Sequence, residues 1–344
     1  MSAAAPARTT GIARPERGRP RPGLVAGVAL AGLLVLAAAD LVLGIPDLGF
    51  GQVARALAGG GSPTVHALVV GSRLPRLVVG AEGGALLALA GLLLQDVMRN
   101  PLAGPELLGV SSGSAAVMAV IITLALPVPP ALQVWLALAG GALGGGVVVW
   151  GARFQRNALG VILIGVAVSA LLNAVITTLI SLGSQANAAL FYSYLVGTLQ
   201  GRGWLQAGLI APWLAVVAAA FALAGRLSLL RVGETAAVGL GVRVGALRVT
   251  TLILAVAAVC AVVAVCGPIG YVALLAPHVA RRLVGTGDTR RVLPAALVIG
   301  AVLLTAADLL GRVVFTPLEV PAGVWTTLLG GPLLILVLGN RFER

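Results

Sequence analysis

The sequence predicts an all-α polytopic membrane protein with about ten transmembrane helices and both termini in the cytosol. Of its 344 residues, 59% are hydrophobic and only 10% are charged, whereas a soluble domain carries about 25% charged residues. The apolar runs are continuous, while the strands of a transmembrane barrel alternate apolar and polar residues. A helix crosses the hydrocarbon core with about 20 apolar residues, so the chain is long enough for about ten crossings with short loops.

The first 23 residues are rich in Pro, Arg and Ala, which predicts a disordered basic tail held on the cytosolic side. A single transmembrane domain is expected over residues 24–344. Its first apolar run, 24–45, follows the basic tail and contains three consecutive alanines, a pattern that also suits a cleaved signal peptide. The apolar run resumes after Asp40, which favours an uncleaved first span.

The later spans are predicted from nine further apolar runs, at 74–96, 107–126, 131–151, 158–181, 204–224, 249–266, 268–280, 293–310 and 321–338. The run at 268–280 is too short to cross alone as an ideal helix. We expect it to be buried among its neighbours or to share its crossing with an unwound segment.

The basic residues support this topology. None of the 23 is a lysine, and ten spans that start inside place eighteen arginines in the cytosol and five outside. The five outside are Arg55, Arg73, Arg76, Arg202 and Arg312. The positive-inside rule therefore explains the net charge of +12, and with only 4% aromatic residues we expect no nucleic-acid partner.

Several kinds of chemistry are excluded by the sequence. A phosphate-binding loop of the type G-x-x-x-x-G-K-[ST] needs a lysine, which this chain lacks. Neither an H-E-x-x-H pattern nor a paired Cys/His metal site occurs, and His66 and His278 are far apart in the sequence. Cys260 and Cys266 fit ordinary small core residues. We predict no catalytic residue, no metal site and no bound cofactor, so a membrane enzyme is disfavoured.

Four acidic residues fall at possible membrane depth. Asp40, Asp96 and Asp308 lie near predicted span ends, which indicates interfacial positions. Glu82 lies inside an apolar run, where an ionised carboxylate is costly. It should face the protein interior, face water or be protonated, and its role stays open.

Two stretches resemble the signatures of the iron-siderophore and cobalamin permeases of ABC importers. The first is SRLPRLVVGAEGGALLALAGLLLQDVMRNPLAGPELLGVSSGSA (72–115), and the second is GPIGYVALLAPHVARRLVG (267–285). The stretches ADLLGR (307–312) and EVPAGVWTTLLGGP (319–332) follow in the family's order. The resemblance covers nearly the whole chain after the basic tail. Departures include Tyr271 in place of the usual phenylalanine and Glu82 in place of an apolar residue.

This resemblance implies a transport subunit of a bacterial plasma membrane. Two permease subunits, identical or paralogous, would enclose one path between them. An extracytoplasmic binding protein would deliver the cargo, and two cytosolic ATPase subunits would use ATP to drive opening and closing. The implied cargo is a ferric siderophore, with cobalamin or haem as alternatives. A secondary carrier that works without an ATPase is the competing class of transporter.

The resemblance also implies roles for particular residues. Arg73, Arg76 and Arg312 would dock acidic residues of the binding protein, although anchoring at lipid headgroups would explain them too. The segment 226–248 is too long for a tight turn, and Leu229-Leu230 and residues 235–238 predict two short helices around a glycine break. It matches the family's coupling helices, with the ATPase contact at Gly233, Glu234 and Thr235.

A cytosolic gate is implied at two loops, through Asn100 and Leu102 and through Asn157 and Ala158. Pro101 forces the chain to turn in the first loop, which plain helix termination would also explain.

Polar residues recur along one face of the fifth span, at Ser169, Asn173 and Thr177. This face would line the path, and interhelical hydrogen bonding is the alternative explanation.

In the second signature we expect Gly267 and Pro268 to turn the chain sharply at the outer side. Pro277 should end regular helical hydrogen bonding near the cytosol. His278 is expected to be buried in a structural role, and Arg281 should hold the helix end at the cytosolic interface.

Overall fold

A computed structural model describes residues 22–155 and 158–339, and within these ranges the regular structure is entirely helical. The first half comprises α1 (Pro22–Val42), α2 (Phe50–Leu57), α3 (Pro63–Leu68), α4 (Leu74–Val97), α5 (Val110–Thr123), α6 (Pro130–Ala152) and α7 (Ala158–Leu182). The second half comprises α8 (Gln185–Leu195), α9 (Trp204–Ile210), α10 (Ala215–Val232), α11 (Glu234–Gly239), α12 (Val244–Cys266), α13 (Val272–Val284), α14 (Thr289–Val313) and α15 (Ala322–Gly339).

The prediction of an all-α polytopic membrane protein is confirmed. Within the described ranges, seven helical segments are long and apolar enough to cross a membrane. They are Pro22–Val42, Pro63–Val97, Pro130–Ala152, Leu159–Leu182, Trp204–Val232, Val244–Cys266 and Thr289–Val313. Helices α5, α13 and α15 are shorter and overlap the remaining predicted runs. The number of crossings and the side on which each terminus lies stay predictions, and the basic tail falls almost wholly outside the described residues.

Helix α4 forms the axis of the bundle, with α12, α13 and α14 packed around it. In the apolar membrane-length stretches of the α4 segment and of α12, 72% of the residues are buried. The corresponding share is 17% for α1 and for α7. Helices α1 and α7 therefore lie at the perimeter, where their apolar side chains can face lipid or another subunit.

Glycine allows the neighbouring helices to approach α4 closely. A Cβ atom added at Gly84 would collide with the backbone of Gly300 on α14, and one added at Gly91 would collide with the backbone of Ala273 on α13. Lipid provides little hydrophobic drive for helix association, so close backbone contact is a main source of packing energy in a membrane. These two contacts hold α13 and α14 against the axis.

The expectation for Pro277 is wrong, because α13 continues through it to Val284. Proline lacks the N–H that would bond to the carbonyl four residues earlier, at Ala273. That carbonyl occupies the position that a Cβ atom on Gly91 would take, so α4 accommodates it. The next carbonyl, of Leu274, accepts a hydrogen bond from Gln95 Nε2 at 3.2 Å. Contacts with α4 thus allow the proline inside a continuous helix.

The turn before α13 occurs at Gly267 and Pro268, where the sequence predicted it. Helix α12 ends at Cys266, and Gly267 has φ +77°, where a Cβ atom would meet the carbonyl oxygen of Tyr194. An irregular stretch with Pro268 then delays the start of α13 to Val272. His278 is buried, as predicted for a structural role.

The segment 226–248 contains one short helix rather than two. Leu229 and Leu230 belong to the last turns of α10, which stays regular up to Val232. Leu227 and Leu230 are fully buried, which explains why the long helix persists through this stretch. Gly233, at φ +155° and ψ +145°, then interrupts the helical conformation, and α11 follows as a separate helix of six residues.

We expect the Gly84→Ala variant to lose about 1–3 kcal/mol of stability, because overpacking a tight helix contact forces the backbones apart. Thermal unfolding of the protein purified in detergent would measure the loss. Gly146→Ala is the matched control, since a Cβ atom there meets nothing within 4 Å. Equal melting temperatures for both variants would contradict the close approach of α4 and α14.

Candidate functional site

Charged side chains concentrate at the two ends of α4. Arg76 lies near its start and Asp96 near its end, about 30 Å apart at 1.5 Å of rise per residue. Following the predicted orientation, we call the end with Arg76 the outer end and the end with Asp96 the inner end. The candidate site therefore has an outer part, an inner part and a polar face between them on α7.

At the outer end, Arg76 holds two acidic residues. Its Nε and Nη2 donate to the carboxylate of Asp308 on α14 at 2.8 and 2.9 Å, and Nη1 donates to Glu319 at 3.1 Å. The paired, parallel geometry with Asp308 is the strongest arrangement available to arginine and a carboxylate. Asp308 is almost fully buried, whereas Glu319 is about one-third exposed.

The other two outer arginines connect α1 to the bundle. Arg73 donates to the main-chain carbonyls of Leu41 and Val42 at 2.8 and 3.0 Å, and to that of Pro46 at 2.6 Å. These bonds satisfy carbonyls that the end of α1 leaves without helical donors. Arg312 on α14 is paired with Asp40 of α1.

All three predicted docking arginines are thus brought together at one end, as the sequence indicated. Each is largely buried and already engaged with acceptors of the same chain. Asp40 and Asp308 lie near the ends of α1 and α14 and are buried within the protein, while their interfacial depth stays a prediction. The docking role itself stays a prediction.

At the inner end, Asp96 is fully buried and joins four helices. Its Oδ1 accepts from Arg231 of α10 at 2.6 Å and from Arg281 of α13 at 2.9 Å, and its Oδ2 accepts from Thr289 of α14 at 2.7 Å. Arg281 also donates to the side-chain oxygen of Gln95. Asp96 lies next to the last residue of α4, near the span end as predicted, and its carboxylate is enclosed by side chains of neighbouring helices. Its interfacial depth stays a prediction, and so does that of Arg281.

The predicted coupling residues lie just beside this cluster. Gly233 separates α10 from α11, and Glu234 is the first residue of α11. The carboxylate of Glu234 accepts from Arg248 of α12 at 2.8 Å, which ties the short helix to the bundle. Thr235 is exposed. Apolar side chains are also exposed on and around α11, at Val232, Val238 and Leu240.

The loop after α4 holds the first half of the predicted gate. The side-chain oxygen of Asn100 accepts from the amide of Leu102 at 2.9 Å, closing a turn over Pro101, and the Leu102 side chain is half-exposed. Further along, the carbonyl of Glu106 accepts from Ser169 Oγ of α7 at 3.3 Å. The loop therefore contacts α7. Asn157 lies outside the described residues, and of Ala158 only its place at the start of α7 is described.

The polar face of α7 divides into two parts. Ser169 is used by the contact with the loop, whereas Asn173 and Thr177 are exposed. Thr177 Oγ1 donates to the carbonyl of Asn173 on its own helix at 2.9 Å. Ser181 continues the same face one turn later. Exposed polar groups on a helix this apolar are expected to face water or another subunit rather than lipid.

Metal ligands are not gathered anywhere in residues 22–155 and 158–339, where no group of three or more His, Cys, Asp and Glu side chains could hold an ion. Two carboxylate oxygens, Oε2 of Glu82 and Oδ2 of Asp40, are buried without a hydrogen-bond partner among the described residues. Glu82 lies inside α4, and its buried oxygen fits the first of the three expected alternatives, a carboxylate that faces the protein interior.

Comparison with known proteins identifies the family. The profile of the FecCD transport family matches residues 32–340. The chain belongs to the FecCD transport family. The predicted transport role and membrane location are confirmed with it.

Individual members of the FecCD transport family are similar along almost their whole length. The Fe(3+)-citrate import system permease protein YfmE of Bacillus subtilis (strain 168) is 36% identical over 91% of this chain and 96% of the relative. The achromobactin transport system permease protein CbrC of Dickeya dadantii (strain 3937) is 38% identical over 91% of both chains. The hemin transport system permease protein HmuU of Yersinia pestis is 32% identical over 95% of this chain and 99% of the relative.

A solved structure extends the likeness to the fold. A metal-chelate type ABC transporter in an inward-facing conformation superposes with a TM-score of 0.81 and 28% identity, covering 93% of this chain and 99% of the other. The sequence analysis missed two ion pairs of the site, Asp96 with Arg231 and Glu234 with Arg248. For Asp96, the signal that could have drawn attention to its pair is the position of an acidic residue in an apolar run.

We expect Asp308→Asn to lower stability by about 3–5 kcal/mol, because it leaves the buried guanidinium of Arg76 without its main counter-charge. Thermal unfolding in detergent measures the change. Arg55→Gln, at an exposed arginine that bonds only locally to Gly51, is the control and should melt like the wild type. An unchanged melting temperature for Asp308→Asn would contradict the pairing described at the outer end.

Proposed function

We propose that the chain is the permease subunit of an ABC importer that carries a ferric chelate into the cytosol. The observation that carries this proposal is α11, a short exposed helix at the inner end that is tied to α12 by the Glu234–Arg248 pair. Membership of the FecCD transport family supports it, and the relatives above act on Fe(3+)-citrate, achromobactin and hemin by name. A ferric siderophore or a similar iron chelate is therefore the proposed cargo.

Energy for transport would come from two cytosolic ATPase subunits. The sequence contains no lysine, so it cannot form the lysine-dependent phosphate loop of an ATP-driven motor. The exposed Val232, Val238 and Leu240 around α11 offer an apolar surface for such a partner. Gly233, Glu234 and Thr235 are the proposed contact, and no cofactor of this chain's own is needed.

The path for the chelate would lie between two permease subunits, identical or paralogous. Asn173 and Thr177 on α7 are the proposed lining, since their exposed polar groups suit a water-filled passage. The gate toward the cytosol is proposed at Asn100 and Leu102 and, from the facing loop, at Asn157 and Ala158.

An extracytoplasmic binding protein is proposed to dock at the outer end, where Arg73, Arg76 and Arg312 converge. Each of these arginines already has acceptors within the chain. An incoming carboxylate would therefore have to compete with Glu319, the most exposed acid of this cluster.

A second candidate, a carrier that works without an ATPase, is favoured by one observation. The buried, unbonded carboxylate oxygen of Glu82 on α4 is the kind of group that proton-coupled carriers use.

The decisive experiment is purification from membranes followed by reconstitution in vesicles with and without the co-purifying ATPase. Uptake of radiolabelled iron chelate that needs both ATP and the ATPase supports the importer. Uphill uptake by the chain alone would support the carrier instead.

Replacing Gly233 with alanine should reduce ATP-dependent uptake about fivefold or more. The φ and ψ angles of Gly233 lie in a region that is essentially restricted to glycine, so a side chain would shift α11 against its partner. Gly239→Ala is the matched control on the same helix, because a Cβ atom there meets nothing within 4 Å. Equal uptake by the two variants would remove α11 from the coupling mechanism.

Replacing Asn173 with leucine should lower chelate uptake about threefold to tenfold, as expected when one hydrogen bond to passing water or cargo is lost. Initial uptake rates in vesicles give the measurement, with the amount of assembled complex determined in parallel. Leu171→Ala changes an exposed position on a neighbouring part of α7 and should leave the rate near that of the wild type. If Asn173→Leu transported normally, α7 would not line the path.

A further inference from the structure

The strongest unassigned feature is the carboxylate of Asp96, where side chains from four helices meet. Two guanidinium groups and one hydroxyl bond to its two oxygens, all at 2.6 to 2.9 Å. The carboxylate is completely buried, whereas Arg231 is partly exposed. A buried ion pair is weak evidence for stability alone, because desolvation offsets much of the attraction. Its stronger effect is to fix which groups lie together.

On one side, this cluster reaches the proposed ATPase contact. Arg231 lies two residues before Gly233, in the last turn of α10. Beyond the glycine, Glu234 is held to α12 by Arg248. The Arg231–Asp96 pair lies before the glycine break and the Glu234–Arg248 pair lies after it. A displacement of α11 would therefore reach Asp96 through Arg231.

On the other side, the cluster reaches the loop at 98–109 that holds Asn100 and Leu102. The carbonyl of Asp96 accepts from the amide of Arg99 at 3.3 Å, and that of Gln95 accepts from the amide of Asn100 at 3.1 Å. Arg281 bonds to the side chains of both Gln95 and Asp96. The first turn of this loop thus bonds to the main chain of Asp96, the residue whose side chain binds Arg231.

We propose that Asp96 is a positioning residue that passes a displacement of α11 to the 98–109 loop, through Arg231 on one side and its own main chain on the other. This inference rests on the proposed function, in which α11 contacts an ATPase. It goes further by naming the internal connection between that contact and the gate.

The test uses the reconstituted complex of permease, ATPase and binding protein. Asp96→Asn keeps the size of the side chain and removes its charge. We expect ATP hydrolysis within about twofold of the wild-type rate, while the amount of chelate moved per ATP falls about fivefold or more. Arg291→Gln is the matched control, since it removes a long, exposed ion pair at the same end without touching Asp96. Uptake and hydrolysis that fall together in intact Asp96→Asn complexes would overturn the proposal.

Arg231 provides a second arm in case Asp96→Asn fails to fold. Arg231→Gln removes the same pair from the more exposed partner and should lower the transport ratio in the same way. Arg231→Lys keeps a positive charge that can reach Oδ1 of Asp96, and we expect it to restore most of the ratio. A normal ratio for Arg231→Gln would contradict the proposal.

A measurement without cargo separates this inference from the function itself. Cys260 and Cys266 are buried, so the cysteine of a Leu102→Cys variant, at a half-exposed position, can be labelled selectively with a water-soluble maleimide. With Asp96 intact, ATP should change the labelling rate; with Asp96→Asn it should not. In a Val238→Cys variant, the ATPase should protect the new cysteine in both backgrounds. A wild-type complex that hydrolyses ATP without moving chelate would refute the proposed function, and the Leu102 response would still decide the inference.

Discussion

The fold depends on the neutralisation of carboxylates that lie within or beside apolar helices. A lone charge in hydrocarbon is costly, and three of these acids are matched by arginines from another helix. Asp308 pairs with Arg76, Asp40 with Arg312, and Asp96 with Arg231 and Arg281. Because an unmatched partner would be strongly unfavourable, these pairs specify which helices are neighbours: α1 and α4 against α14 at the outer end, and α4 against α10 and α13 at the inner end.

Close packing at glycines holds the helices together between the two charged ends of α4. Between its two charged ends, α4 meets α14 at Gly84 and α13 at Gly91, where a larger residue would collide with the facing backbone. Apolar side chains gain little from leaving lipid for another helix, so close backbone packing must hold the middle of the bundle. The result is an axis fixed by ion pairs at its ends and by van der Waals contact between them, with α1 and α7 left at the perimeter.

Composition and periodicity were sufficient to predict the helices, and the distribution of arginines brought Arg73, Arg76 and Arg312 to one end. The partners of those arginines could not be predicted, because Asp308 lies 232 residues from Arg76 and nothing in local spacing connects them. The partner of Asp96 could not be predicted for the same reason, since Arg231 is 135 residues away. The helix end predicted at Pro277 was wrong because the lost hydrogen bond can be inferred from the local sequence. The space that Gly91 leaves for the freed carbonyl of Ala273 cannot be inferred in that way.

The two ends differ in how firmly they hold the chain. At the outer end, Arg73 bonds to three main-chain carbonyls and Arg76 forms a paired contact with a buried acid. At the inner end, α11 follows a glycine break and is tied to α12 through the single, partly exposed pair of Glu234 and Arg248. Since local motion requires few buried contacts, α11, rather than the buried Asp96 cluster beside it, is where a partner can move the chain at low cost. The packed axis of α4 would then carry that motion as a rigid element toward the outer end.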